Sequence, residues 1–97
     1  MSHISVLYPE EDRQTTQIPE MGLLVGRSSS CDLRLTDEFV SAKHCRIFSE
    51  NGTFFLEDLS STNGSFIDGM EVEKKSTLTT GQSIQIGITV MKIHLSL

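Results

Sequence analysis

At 97 residues the chain has room for one domain and a modest core, and its mixed charge and ordinary apolar content exclude a disordered tract. A net charge of −5 with no basic stripe excludes a sequence-independent grip on DNA or RNA, which rests on clustered Lys and Arg. Two cysteines are too few for a disulfide scaffold, and neither a signal peptide nor an apolar run long enough to span a bilayer is in view. Reduced thiols, a cytoplasmic setting (nuclear in a eukaryote) and no membrane partner are therefore expected.

In chain order, His3 to Tyr8 alternates as a strand that Pro9 ends, and Glu10 to Arg13 reads as an exposed acidic turn. Gln14 to Ile18 returns as a partner strand, stopped by Pro19. Gly22 to Val25 is a short apolar run leading into Gly26-Arg27 and the polar cluster Ser28-Ser29-Ser30. In Cys31 to Leu35, Cys31, Leu33 and Leu35 fall on one face and Asp32 and Arg34 on the other, the period of a half-buried strand. Asp37 to Ala42 reads as a loop holding two large apolar residues, Phe39 and Val40. Lys43 to Phe48 is a strand with Cys45 and Ile47 on one face and His44, Arg46 and Phe48 on the other.

Asn51-Gly52 joins this strand to Thr53–Leu56, and Asp68-Gly69 turns a second hairpin; both dipeptides tolerate positive φ. Glu73-Lys74-Lys75 reads as a solvated charged turn and Thr80-Gly81 as another. Ser83 to Gly87 and Val90 to Leu95 alternate strongly, with Ile84, Ile86, Met91, Ile93 and Leu95 inward. Between the hairpins lies Asp58-Leu59-Ser60-Ser61-Thr62-Asn63-Gly64, a tight turn rich in hydroxyl and amide donors with a position free for φ > 0.

Many short strands with close turn signals, and no convincing helix, imply an all-β sandwich or barrel forming a single domain over residues 1–97. The chain starts and stops near its first and last strands, as a small standalone protein or a domain trimmed to its edges does. No nucleophile elbow, metal-ligand cluster or Gly-rich cofactor loop is present, so no enzyme, metal or cofactor is expected. Asn51-Gly52-Thr53 and Asn63-Gly64-Ser65 match the glycosylation sequon but read as turns.

Four blocks in order carry a resemblance that a lone Gly-Arg would not. They are Gly26-Arg27-Ser28 with Cys31 to Leu35; Val40 to Ile47, which contains Ser41-Ala42-Lys43-His44; Asp58 to Gly69; and Leu78 with Gly81 to Gly87. In these the sequence resembles the forkhead-associated (FHA) domain nearly end to end. The resemblance implies a two-sheet β-sandwich of about eleven strands, whose loops at one end bind phosphothreonine in a signalling partner, the substrate of a Ser/Thr kinase. It also implies a monomer or one domain of a longer chain.

By the resemblance, Arg27 and Ser41 contact the phosphate, Thr62 adds a contact, and Asn63 holds the peptide backbone beside it. Ala42 offers only its backbone N–H where many members carry a polar or basic side chain, and Lys43 compensates only if it turns toward the pocket. Gly26, His44 and Gly64 are structural supports. Residue 39 lies where some relatives select the side chain three positions after the phosphothreonine. An exposed Phe39 favours an apolar residue there; a Phe39 buried in the loop base selects nothing.

The chemistry agrees with these roles. A phosphothreonine carries about −1.5 to −2 charge and three strong acceptor oxygens, which call for a cation, small hydroxyl donors and free N–H groups. A planar guanidinium suits phosphate better than an ammonium. Taken singly, Arg27 is also an ordinary surface cation, Ser41 a turn cap and Asn63 a turn former. Two rival readings stand beside the phosphopeptide module. One is a phosphate-independent scaffold or oligomerisation module using a sheet face. The other is a hydrolase built on Ser41 and His44.

Overall fold

The computed structural model describes residues 1–96. Eleven strands form two sheets, and one 3₁₀ turn at Glu10–Asp12 is the only helical element among the described residues. The strands are β1 (His3–Tyr8), β2 (Thr15–Gln17), β3 (Leu23–Gly26), β4 (Leu33–Arg34), β5 (Cys45–Glu50), β6 (Thr53–Asp58), β7 (Ser65–Ile67), β8 (Met70–Glu71), β9 (Lys75–Leu78), β10 (Ser83–Ile86) and β11 (Thr89–His94). One sheet runs β2-β1-β11-β10-β7-β8 and the other β4-β3-β5-β6-β9.

Period-two alternation puts one apolar face of each sheet inward. Ile4 and Val6, Leu23 and Val25, Cys45 and Ile47, Ile84 and Ile86, and Met91 and Ile93 are all at most 2% exposed and close one core between the sheets. The hairpins turn where the sequence provides residues that accept positive φ: Asn51 and Gly52 at +51° and +81°, Asp68 and Gly69 at +48° and +82°.

Three elements depart from expectation. Lys75, expected in a solvated turn, opens β9, an edge strand in which only Leu78 is buried; a strand with one inward apolar residue shows no periodicity to read. The strand expected over Cys31 to Leu35 keeps its alternation of burial but pairs only at Leu33–Arg34, parallel to β3. The Asp32 carboxylate takes the Leu24 N–H at 2.8 Å, and the Cys31 N–H closes a turn on the Ser28 carbonyl, so the backbone joins the ladder only at Leu33. Phe48 points to the outer face as expected but is buried. The Arg46 guanidinium lies 4.1 Å from its ring centroid, and Phe55 stacks beside it at 5.6 Å.

The strand order sets the two ends of the sandwich. The loops after β3, β4 and β6 and the β10–β11 turn gather at one end, as their mutual hydrogen bonds show. The Asn51-Gly52 hairpin and the C-terminal residues lie at the other, where Gly52, Leu95 and Ser96 line one depression.

Candidate functional site

The backbone between Arg27 and Ala42 is stitched like a short ladder. Arg27 N–H donates to the Ser41 carbonyl and Ser28 N–H to the Ala42 carbonyl, both at 3.0 Å. This approach needs Gly26. A Cβ there would lie 2.3 Å from the Ala42 carbonyl oxygen and 2.9 Å from the Cys31 sulfur. The third loop docks on the second through side chains. The Thr62 N–H donates to Ser41 Oγ at 3.0 Å, and Asn63 Nδ2 donates to the Phe39 carbonyl at 2.8 Å.

Three buried or half-buried side chains hold this arrangement. The Ser41 N–H donates to His44 Nδ1 at 3.0 Å, so Nε2 carries the proton and donates to the Gly64 carbonyl at 2.8 Å. His44 is fully buried and thus staples the second loop to the third. Asp58 accepts the Ser61 N–H and the Ser61 and Ser65 hydroxyls. Burial pushes its pKa up, but these donors outweigh that and hold it below the ordinary carboxylate value. Asp37, 8% exposed, accepts the Phe39 N–H at 2.9 Å, and from β11 and its turn the Ile88 N–H at 2.7 Å, the Thr89 N–H at 3.0 Å and the Thr89 hydroxyl at 2.9 Å. Burial again raises its pKa, and the four donors more than reverse the shift.

The exposed side of the cluster is cationic and rich in donors. Among the described residues neither Arg27 nor Lys43 has a carboxylate within salt-bridge distance. Ser41 Oγ, occupied as an acceptor by Thr62, keeps its proton free to donate outward. The Ala42 N–H has no acceptor among the described residues. Arg27 and Ala42 border an open cavity of about 390 Å³ with Ser28, Arg34 and Thr36. Phe39, 50% exposed, borders a second, shallow depression of about 250 Å³ with Asn63, Gly87 and Ile88. Such a surface can hold a tetrahedral anion on the first side and an apolar side chain on the second.

Every residue singled out from the sequence falls in this cluster. Arg27, Ser41, Ala42, Thr62 and Asn63 share its exposed side, and Gly26, His44 and Gly64 lie buried beneath. Of the residues expected to meet the phosphopeptide, only Arg27 and Ala42 border the 390 Å³ cavity; Ser41, Lys43 and Thr62 do not, and Asn63 borders the depression beside Phe39. The geometry also speaks against a Ser41–His44 hydrolase. His44 meets the Ser41 backbone rather than its hydroxyl, and both ring nitrogens are engaged out of reach of solvent. Sequence reasoning passed over Arg34, Asp37 and Ile88. For Ile88 the available signal was an apolar residue stranded in a tight turn; for Arg34 and Asp37 there was none, because their partners arrive by sheet topology.

Comparison with known proteins bears on the family of the chain. The sequence model of the FHA domain matches residues 23–87. The FHA domain-containing protein FhaB of Mycolicibacterium smegmatis is 34% identical over 72 residues, covering 74% of this chain and 46% of that protein. The chain thus spans about half the length of the curated FhaB relatives it matches. Among solved structures, the FhaA FHA domain complexed with the intracellular domain of Rv3910 is similar at a TM-score of 0.87 and 26% identity, over 97% of this chain and 100% of that one. A structure from an analysis of phosphothreonine-dependent FHA domain interactions is similar at 0.89 and 25%, over 99% and 97%.

Proposed function

Because this chain belongs to the FHA domain family, we propose that it is a phosphothreonine-dependent interaction module, binding a phosphorylated segment of a signalling partner across the loops after β3, β4 and β6. The observation that carries this is a set of groups on adjoining loop backbone that have no protein partner among the described residues: the Arg27 guanidinium, the Ser41 hydroxyl proton and the Ala42 N–H. Each matches what a dianionic, acceptor-rich phosphate requires. Thr62 adds its hydroxyl, and Asn63, with one amide proton on Phe39, keeps its other proton and its oxygen for the partner's backbone. A few charge-assisted bonds, less the ordering of a flexible peptide, give a micromolar-class affinity.

The half-exposed Phe39 and its depression with Ile88 support selection of an apolar residue three positions after the phosphothreonine. In a peptide panel varied at that position, Leu, Ile or Val is expected to bind best, and a preference for Asp or Lys would overturn the assignment. The partner is a Thr-phosphorylated protein, the product of a Ser/Thr kinase, met in the cytoplasm, or in the nucleus if the source is eukaryotic. The two free thiols fit a reducing compartment.

The deciding experiment is binding of a degenerate phosphothreonine library beside its unphosphorylated and phosphoserine versions, with Arg27→Ala as control. Phospho-dependent binding that Arg27→Ala weakens by roughly 2–4 kcal/mol is expected. Binding indifferent to phosphate and to Arg27 would instead indicate a scaffold acting through a sheet face.

A further inference from the structure

A phosphothreonine dianion brings about −1.5 to −2 charge, and one guanidinium answers only part of it. Lys43 does not border the cavity beside Arg27, and Ala42 brings no charge to it. The one other cation that does is Arg34. It sits on β4, in parallel register with Gly26, the residue before Arg27. Its Nε donates to the Arg27 carbonyl at 3.0 Å. That bond fixes the guanidinium plane and leaves its two terminal amino groups without an acceptor among the described residues. Asp12, which accepts the hydroxyl of the cavity-lining Thr36 at 2.9 Å, does not border the cavity and is not within salt-bridge distance of Arg34. Two guanidinium groups thus line one open cavity, neither paired with a carboxylate among the described residues, one of them already held in place by the backbone of the other. Like charges placed so are relieved by a shared anion, and the anchored Arg34 has little rotamer freedom left to lose.

We infer that Arg34 is a second phosphate ligand of this module, closing with Arg27 on the phosphothreonine dianion. The inference rests on the phosphothreonine reading above and adds a residue to that site. It makes the preference for dianionic over monoanionic phosphate a property of the Arg27–Arg34 pair.

The test uses the full chain and a singly phosphorylated peptide whose other residues are all uncharged. Arg34→Gln, on an exposed position, is compared with Arg34→Lys, Lys43→Gln and Arg27→Ala by calorimetry, with urea unfolding alongside. Arg34→Gln is expected to weaken binding roughly 10- to 100-fold with only a small fall in its unfolding midpoint, from the lost bond to the Arg27 carbonyl. Arg34→Lys is expected to recover part of the loss and Lys43→Gln to change affinity less than threefold. Phosphorus NMR of the saturated complex supplies a readout that a structural role does not move. The second phosphate ionisation is expected to lie well below its free value of about 6 in the wild type and to return toward it in Arg34→Gln.

A second peptide differing only by one added acidic residue is run alongside, and a loss confined to it would assign Arg34 to that residue and overturn the inference. So would a loss with no change in the bound phosphate's ionisation, or no loss at all where Arg27→Ala still abolishes binding. If Arg27→Ala too is without effect, the phosphothreonine reading itself fails.

Discussion

Gly26 is the residue on which the approach of the binding loops depends. Its φ is not in the left-handed region; what forbids a side chain is the Ala42 carbonyl, 2.3 Å from where a Cβ would stand. A rigid backbone atom cannot rotate away, so Gly26→Ala must push the Arg27–Ala42 ladder apart. Overpacking of this kind costs about 1–3 kcal/mol. Gly52→Ala is the matching control: nothing lies within 4 Å of the new Cβ, but φ is +81° and the hairpin is at the far end. It is expected to cost about 1 kcal/mol from conformation alone. Urea midpoints should therefore fall for both variants, while phosphopeptide affinity falls only for Gly26→Ala. Equal affinity for both would mean that the ladder does not shape the site. His44 gives a second residue-scale prediction. Its truncation to Ala leaves the Ser41 N–H and the Gly64 carbonyl without partners inside the protein. It should cost about 2–4 kcal/mol in stability and also weaken binding, measured by the same two experiments.

At the scale of elements, Asp37 straps the loop after β4 to the start of β11, 52 residues away. Its pKa is lowered in the fold, so its contribution is fully present above the unfolded value of 3.8 and is lost as pH falls below that through the folded value. Asp58, lowered for the same reason, behaves alike in the loop after β6. Below about pH 4 the binding end should loosen before the hairpins do, visible as early loss of amide-exchange protection at Ile88 and Thr89. Asp37→Asn places an amide against donors and should destabilise the protein at neutral pH. The gap from the wild type should close as pH falls through 3.8 and below. A gap independent of pH would show that the carboxylate's charge is not what matters. This strap was not legible in the sequence, whereas the Asn51-Gly52 and Asp68-Gly69 turns were, because a turn is a property of adjacent residues and a strap is not. β9 was missed for a related reason: Lys75, Ser76 and Thr77 are not buried, and their pairing with β6 is decided by the sheet rather than by their own pattern. Arg27, Ser41 and Asn63 were singled out through the family resemblance that their motifs carry, but Arg34 needed the parallel β3–β4 pairing, which nothing in its pentapeptide announces.

At the scale of the molecule, the site depends on strands outside its own loops. β1 and β11 lie side by side in the six-stranded sheet, joining the first strand of the chain to the last. Ser2 and Ser96 bond to one another near the chain ends. β11 runs from the Asp37 strap at Thr89 to His94 and on to Leu95, whose N–H meets the Thr80 hydroxyl at the far end. Ser2 and Ser96 therefore sit away from the loops proposed to bind phosphate. The FHA sequence model matches residues 23–87, which hold every loop residue assigned to the phosphate but none of β1, β2 or β11. The segment 23–87 is expected to fail as a protein. It lacks Ile4, Val6, Met91 and Ile93, all at most 2% exposed, whose burial is worth about 1.5–3 kcal/mol apiece. Together that rivals the whole stability of a small domain, about 5–15 kcal/mol. Without Thr89, Asp37 also loses its partners on β11. The segment should show no cooperative urea transition and no phosphopeptide binding, and adding a separate peptide of residues 88–97 should not restore either, since β1 is still absent. A cooperative transition and intact affinity in the bare segment would mean that β3 to β10 and their loops form the binding unit alone, and that β1 and β11 serve some purpose other than holding the site together.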